Sequence, residues 1–209
     1  MRRGTFQGVA MTITLLIVAT APASVSAQRP WSGGLSVGYA HGIGGDFGGN
    51  GSVNAVGSLF RPVAGVIDVG VEVGYHRLGT NTTRLPDLYG PGSTYREDFG
   101  WTVWQAGLAA RLRPAEGRWR PYALAGSGAY VVRSRDVIEV RDASGAEIPG
   151  LQFRQTRTEV KPGVSLGAGI ERLATIGRLA VGLHARWHGV LAGGGVADFF
   201  TITMGLGLD

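Results

Sequence analysis

The stretch Val66-Ile-Asp-Val-Gly-Val-Glu-Val-Gly-Tyr-His76 decides how the rest of the chain is read. Every second residue, Ile67, Val69, Val71, Val73 and Tyr75, is apolar, and between them stand Asp68, Gly70, Glu72, Gly74 and His76. Side chains alternate across a β-strand, so one face of this strand is hydrocarbon and the other is charged or bare. A strand that crosses a bilayer needs an apolar face toward lipid and tolerates a polar one within, and about 9–11 tilted residues suffice.

Composition agrees with that reading. Glycine supplies 36 of 209 residues, where ordinary usage would give about 15. There is no G-X-Y period, and charged residues are only 17%, below the roughly 25% usual in soluble domains. After the first thirty residues no run is long and apolar enough for a membrane helix. The formal net charge is +5, and Lys161 is the only lysine. The arginines are dispersed and no aromatic-basic motif of a nucleic-acid module occurs, so nucleic acid is not an expected partner. Without cysteine there is no disulfide framework, and a closed barrel that makes all its backbone bonds internally needs none.

Met1–Ala27 has the layout of a cleaved secretory signal: Arg2 and Arg3, an apolar centre over Val9–Ala19, and Val25-Ser26-Ala27 before the cut. Residues 28–209 then form one barrel domain. Alternation predicts strands over Ser32–Ala40, Ser52–Arg61, Val66–His76, Phe99–Arg113, Pro121–Arg133, Thr158–Arg172, Arg178–His188 and Asp198–Leu208. In the fifth, Tyr122, Leu124, Tyr130 and Val132 share a phase and small residues hold the other. Leu78–Arg96, broken by Pro86 and Pro91, and the polar Ser134–Gln155 read as long loops, as does the stretch around Gly193-Gly194-Gly195. Eight strands, an even number, with long and short connections alternating, predict an all-β, antiparallel up-and-down transmembrane barrel with both termini on the short-turn side.

In this respect the chain resembles the small eight-stranded outer-membrane barrels, the OmpA-like transmembrane domains and opacity-type porin-like proteins. The resemblance rests on the strand series, on Pro121-Tyr122…Gly126-Ser127-Gly128, on Arg186-Trp187-His188 and on the closing Phe200-Thr-Ile-Thr-Met-Gly-Leu-Gly-Leu208. It implies a bacterial, Gram-negative outer-membrane location, outer-membrane lipid and lipopolysaccharide as surroundings, and periplasmic chaperones and the barrel-assembly machinery as partners in biogenesis. Such proteins usually end on an aromatic residue, whereas this sequence ends Leu208-Asp209, a departure that bears on recognition by that machinery rather than on fold. A monomer is expected, because closure removes the sheet edges.

With apolar faces toward lipid, the lumen collects Asp68, Glu72, His76, Arg111, Arg113, Lys161, Glu171, His184, Arg186 and His188. Charges in so narrow a space must pair or hold water. Either they form a network that plugs the barrel, or they line a gated path of low conductance, in which case Glu72→Gln would alter conductance. Arg84, Arg96, Arg133, Arg135, Arg154 and Arg157 are candidates for contacting lipopolysaccharide phosphates through the guanidinium fork. Trp101, Trp104, Trp119, Trp187, Tyr39, Tyr75, Tyr122 and Tyr130 are candidates for aromatic girdles.

No catalysis, metal or cofactor is expected. Lipid A deacylases are barrels of this size with His followed two residues later by Ser, but His188 is followed by Gly189 and Val190. The glycine-rich His41–Gly51 has neither a phosphate-loop lysine nor a second repeat. The rival of another class is a soluble exported lipocalin-like barrel holding a small apolar ligand, with its aliphatic faces turned inward.

Overall fold

The computed structural model describes residues 31–44, 47, 51–114, 116–174, 178–192 and 195–208. The expected signal segment Met1–Ala27, most of the stretch between Gly44 and Gly51, Thr175–Gly177 and Asp209 lie outside them. Eight strands are present: β1 Ser32–Gly44, β2 Ser52–Ala64, β3 Ile67–Pro86, β4 Thr94–Leu112, β5 Trp119–Arg141, β6 Phe153–Leu173, β7 Leu179–Ala192 and β8 Gly195–Leu208. Each pairs antiparallel with the next, and β8 closes on β1 from Gly33↔Leu208 to Gly44↔Asp198.

The alternation puts hydrocarbon outside. Val71, Val73, Leu108, Leu166, Leu183, Ile202, Met204 and Leu206 are exposed on the wall, while Asp68, Glu72, His76, Arg111, Arg186 and His188 are buried within. A lipocalin-like barrel would have the reverse, so that alternative is excluded by the phase of the strands. In register, Tyr75, Trp104, Val131 and Val160 form one outward row across β3–β6, and Arg77, Thr102, Arg133 and Thr158 form the next. The apolar band stops at that second row.

Strand β5 departs from the simple rule that large apolar residues face lipid. Tyr130 and Val132 are buried and Tyr122 turns inward, while Ala123, Ala125 and Ala129 face out. Lipid requires an apolar surface, not a large one, and alanine methyls suffice. An eight-stranded lumen, by contrast, must be filled by side chains. Room for the Tyr130 ring comes from a bare stretch of wall beside it: Gly107, Gly128 and Gly163 are successive partners on β4, β5 and β6. A Cβ on Gly163 would lie 2.6 Å from the Tyr130 ring, and one on Gly126 would lie 2.8 Å from Arg186 Nη2. Glycine here is interior space.

Two of the four expected long connections are mostly sheet. Leu78–Arg96 is not a loop: β3 continues to Pro86 and β4 begins at Thr94, leaving only Asp87–Ser93 as a turn. Ser134–Gln155 likewise carries β5 to Arg141 and β6 from Phe153. Outside lipid a strand needs no apolar face, and ladder bonds with cross-strand contacts such as Thr82 Oγ1 donating to Asp98 at 2.7 Å suffice. The loop tip at 142–152 is ordered by Asp142, whose Oδ1 accepts from Ser144 N at 2.8 Å and Ala146 N at 3.0 Å. Strand β7 runs to Ala192 and pairs there with Gly195 at the start of β8; residues 193–194 of the expected last loop lie outside the described residues.

The upper parts of β3–β6 thus stand as a four-stranded sheet above the band. The ladder of β2 on β3 stops at Asn54↔His76, and that of β7 on β6 at Gly163↔Val190. A bulge between Arg77 and Thr80, with Gly79 at φ 93°, starts the rise of β3.

Candidate functional site

From the end bearing the termini upward, the lumen begins with a charge cluster. Arg111 and Arg113 both reach Asp68 Oδ2, at 2.9 Å from Arg111 Nη2 and 2.6 Å from Arg113 Nε. They also pair with Glu171 on β6, at 3.0 and 3.4 Å. Arg111 Nη2 donates to Ser32 Oγ at 2.8 Å, and its guanidinium lies 4.4 Å from the centroid of Phe60. Above this is a small cavity of about 80 Å³, lined by Ser36, Glu72, Tyr122, His184 and Arg186 among others.

The middle layer crosses the full width. Glu72 of β3 and Arg186 of β7 pair at 2.7 Å, and Arg186 Nη2 also donates to Ser165 Oγ at 2.7 Å. His184 Nδ1 shares a 2.9 Å hydrogen bond with Tyr122 Oη, and His188 Nδ1 a 3.3 Å one with Tyr130 Oη. His76 Nε2 meets Gln105 Oε1 at 3.3 Å. The His188 ring stacks on Phe199 with centroids 4.4 Å apart and planes 3° from parallel. Over them lies an apolar layer, with Phe47, Leu78, Val103, Val132, Val190 and Phe199 all buried in one cluster. Charge below and hydrocarbon above close the lumen in series.

Above that layer the barrel opens into a vestibule of about 360 Å³ between the raised sheet and the rim. Phe47, Phe99 and Trp101 line it, with Phe47 and Phe99 each packed edge-on to Trp101 at centroid distances of 5.3 and 5.1 Å. Ser134, Asp136, Gln155, Arg157, Glu159 and Lys161 complete the wall. Glu159 is occupied by Lys161 at 2.7 Å on one oxygen and by Arg157 on the other. The indole Nε1 of Trp101 and Oδ1 of Asp136 are buried and make no hydrogen bond among the described residues. Desolvation, with the Glu97 carboxylate nearby, raises the Asp136 carboxyl above its ordinary value.

Of the residues expected in the lumen network, Asp68, Arg111, Arg113 and Glu171 form one cluster, and Glu72 and Arg186 a second. His76, His184 and His188 are held by neutral partners in the same interior. Lys161 is not with them; its partner is Glu159, at the vestibule. Of the candidate phosphate contacts, Arg84, Arg96, Arg133, Arg135 and Arg154 fall in the rows that continue the lipid-facing side of the wall. Arg77 and Arg141 join them there, against only Asp98 and Glu139. Arg157 faces the opposite way, into the vestibule.

The girdle candidates divide similarly. Tyr39, Tyr75, Trp104 and Trp187 face out near the upper edge and Trp119 near the lower, where Trp31 joins it. Trp101, Tyr122 and Tyr130 point inward. The vestibule itself was not legible in the sequence, because part of its wall, Ser134, Asp136 and Gln155, comes from a segment that read there as a loop.

No protein-family model matches the sequence, and no curated protein matches it. Among solved structures, the chain is similar to Neisserial surface protein A, with 10% identity over 85% of this chain and 96% of that one, at a TM-score of 0.52. It also matches Ail of Yersinia pestis, with 14% identity over 86% of this chain and 99% of that one, at a TM-score of 0.42. The N-terminal β-barrel domain of Pseudomonas aeruginosa OprF matches at 12% identity over 85% and 96%, with a TM-score of 0.43. This chain therefore has the fold of the small eight-stranded outer-membrane β-barrels.

Proposed function

We propose that the protein is a monomeric, integral outer-membrane barrel with a structural, surface-contact role and no catalysis, exported with cleavage of Met1–Ala27. Its barrel anchors the raised β3–β6 sheet at the cell surface, and the outer face of that sheet contacts lipopolysaccharide phosphates. One observation carries this reading: Arg77 and Arg133 share the row in which the apolar band ends, and Arg135 stands one row above. Phosphates of outer-leaflet lipid lie at that height, and guanidinium groups pair with them bidentately. A solute-passing role is disfavoured by the two closed layers of the lumen. A hydrolytic role is disfavoured by the full burial of His188 between Phe199 and Tyr130.

The test has two parts. Fractionation with heated and unheated gel samples should place the protein in outer-membrane vesicles with a heat-dependent mobility shift; recovery as a soluble periplasmic protein would end the proposal. A folded Arg77→Gln/Arg133→Gln/Arg135→Gln variant should then co-purify with less than half the lipopolysaccharide of the parent. Equal amounts would remove the phosphate contact and leave the structural role standing.

A further inference from the structure

Lumen and outer arginine face leave the vestibule unexplained. Its volume, about 360 Å³, is within the range of small-molecule sites, which combine an apolar lining with a few placed polar groups. The apolar part is aromatic: Trp101 flanked by Phe47 and Phe99, set nearly perpendicular to it at 75° and 89°. The polar part is incomplete. Among the described residues Trp101 Nε1 is a donor without an acceptor, and Asp136 Oδ1 an acceptor without a donor. Because Trp101 is opposite Ser134, and Phe99 opposite Asp136, the two orphans are diagonal neighbours on the same face. Buried polar groups left unpaired are costly, so an occupant that satisfies both is favoured over one that satisfies neither.

The charges narrow the choice of occupant. Arg157 and Lys161 both pair with Glu159, and with Asp136 the wall carries two cations against two carboxylates, without an excess of either sign. An organic cation would answer Asp136 but not the indole N–H, and an anion would answer the N–H but be repelled by Asp136. A hydroxyl group donates and accepts, so a ring bearing adjacent hydroxyls answers both. Its apolar C–H face suits an aromatic wall. We propose that the vestibule is a binding site for a hexopyranose, either free or as a residue of a surface glycan, held against the Phe47–Trp101–Phe99 aromatic wall with its hydroxyls on Trp101 Nε1 and Asp136. Ser134 and the Gln155 amide, on the same wall, supply further hydroxyl partners.

The proposal stands apart from the phosphate contact, since the two use opposite faces of the sheet. It is tested with the folded protein in phosphatidylglycerol nanodiscs, which bring in neither sugar-headed detergent nor choline. Saturation-transfer NMR is recorded with methyl glycosides of glucose, galactose, mannose and N-acetylglucosamine, and with dephosphorylated core oligosaccharide of lipopolysaccharide. Saturable transfer to ring protons of at least one probe is expected, weakening at least fivefold in Trp101→Phe, which keeps a ring and loses the N–H, and in Asp136→Ala. Preference for a methyl glycoside identifies a free sugar; preference for the oligosaccharide identifies a surface glycan. Arg120→Gln, at the end of the barrel bearing the termini, should bind as the parent does. Heat-dependent mobility confirms folding of each variant. Absence of transfer with all five probes, unchanged binding in both vestibule variants, or displacement of every sugar by tetramethylammonium would overturn the proposal.

Discussion

Glu72 and Arg186 meet at 2.7 Å although β3 and β7 stand diametrically opposite in the ring of eight strands. Their pairing spans the lumen, and both side chains are almost wholly buried. Above it the apolar layer of Leu78, Val103, Val132, Val190 and Phe199 is also closed. Passage of ions therefore has two barriers, one charged and one apolar.

Planar-bilayer recordings should consequently show no discrete conductance for the parent protein, and none for Glu72→Gln. That substitution should instead lower the midpoint of urea unfolding in vesicles, because Arg186 loses its counter-charge. Stepwise currents in the parent would show that the interior opens.

Asp68 is the shared acceptor of Arg111 and Arg113. Removing one partner of a buried ion pair costs about 3–5 kcal/mol, so Asp68→Asn should destabilise the barrel by about that amount. Equilibrium unfolding by urea in short-chain lipid vesicles measures it. A loss within 1 kcal/mol would mean that Glu171 alone suffices to neutralise both arginines.

Two glycines separate interior space from mere composition. A Cβ on Gly163 would press on the Tyr130 ring at 2.6 Å and on the Gly189 carbonyl at 2.7 Å, whereas at Gly57 it would meet nothing within 4 Å. Gly163→Ala should cost about 1–3 kcal/mol through overpacking, and Gly57→Ala close to nothing. Thermal mobility-shift curves on gels compare the two directly.

Asp98 accepts from Thr82 Oγ1, its main stabiliser, and pairs with Arg96 at 2.8 Å; together these hold its carboxyl below the ordinary value of 3.8. A depressed carboxylate contributes stability above its unfolded value and loses it as pH falls through the folded one. Amide exchange over Thr80–Pro86 should then be equally slow, after correction for intrinsic rates, from pH 7 to 5. It should accelerate only in stronger acid, and Asp98→Asn should abolish that dependence.

What the sequence made legible follows from periodicity. Six strands have the phase that alternation assigns, since lipid demands an apolar face wherever the wall touches it; β2 alternates too weakly for a phase to be read, and it turns Val56 and Phe60 inward. Strand β5 does not, because alanine satisfies lipid as well as valine does and the tyrosines were needed inside. The raised sheet was hidden for a related reason. Once clear of the bilayer, strands such as Thr80–Pro86 and Arg133–Arg141 owe their order to neighbours rather than to a hydrophobic face. The lumen residues could be named from alternation, but not their partners: Glu72 and Arg186 are joined by closure of the ring. Trp101 and Asp136, distant in sequence and adjacent in register, were invisible as a pair.

The outward rows also set a length. From Ile67 to Tyr75 there are eight steps of about 3.3 Å, and a tilt of about 40° reduces the rise to roughly 20 Å. Trp119 and Trp31 mark one limit, and Tyr75 and Trp104, with rings 4.7 Å apart, the other. A bilayer with the usual hydrocarbon thickness of about 30 Å would bury both aromatic rows and draw the boundary arginines toward its interior. Hydrophobic mismatch would thus penalise the protein in a thick membrane and favour a thinner one, so the height of the wall sets the bilayer in which the barrel is most stable.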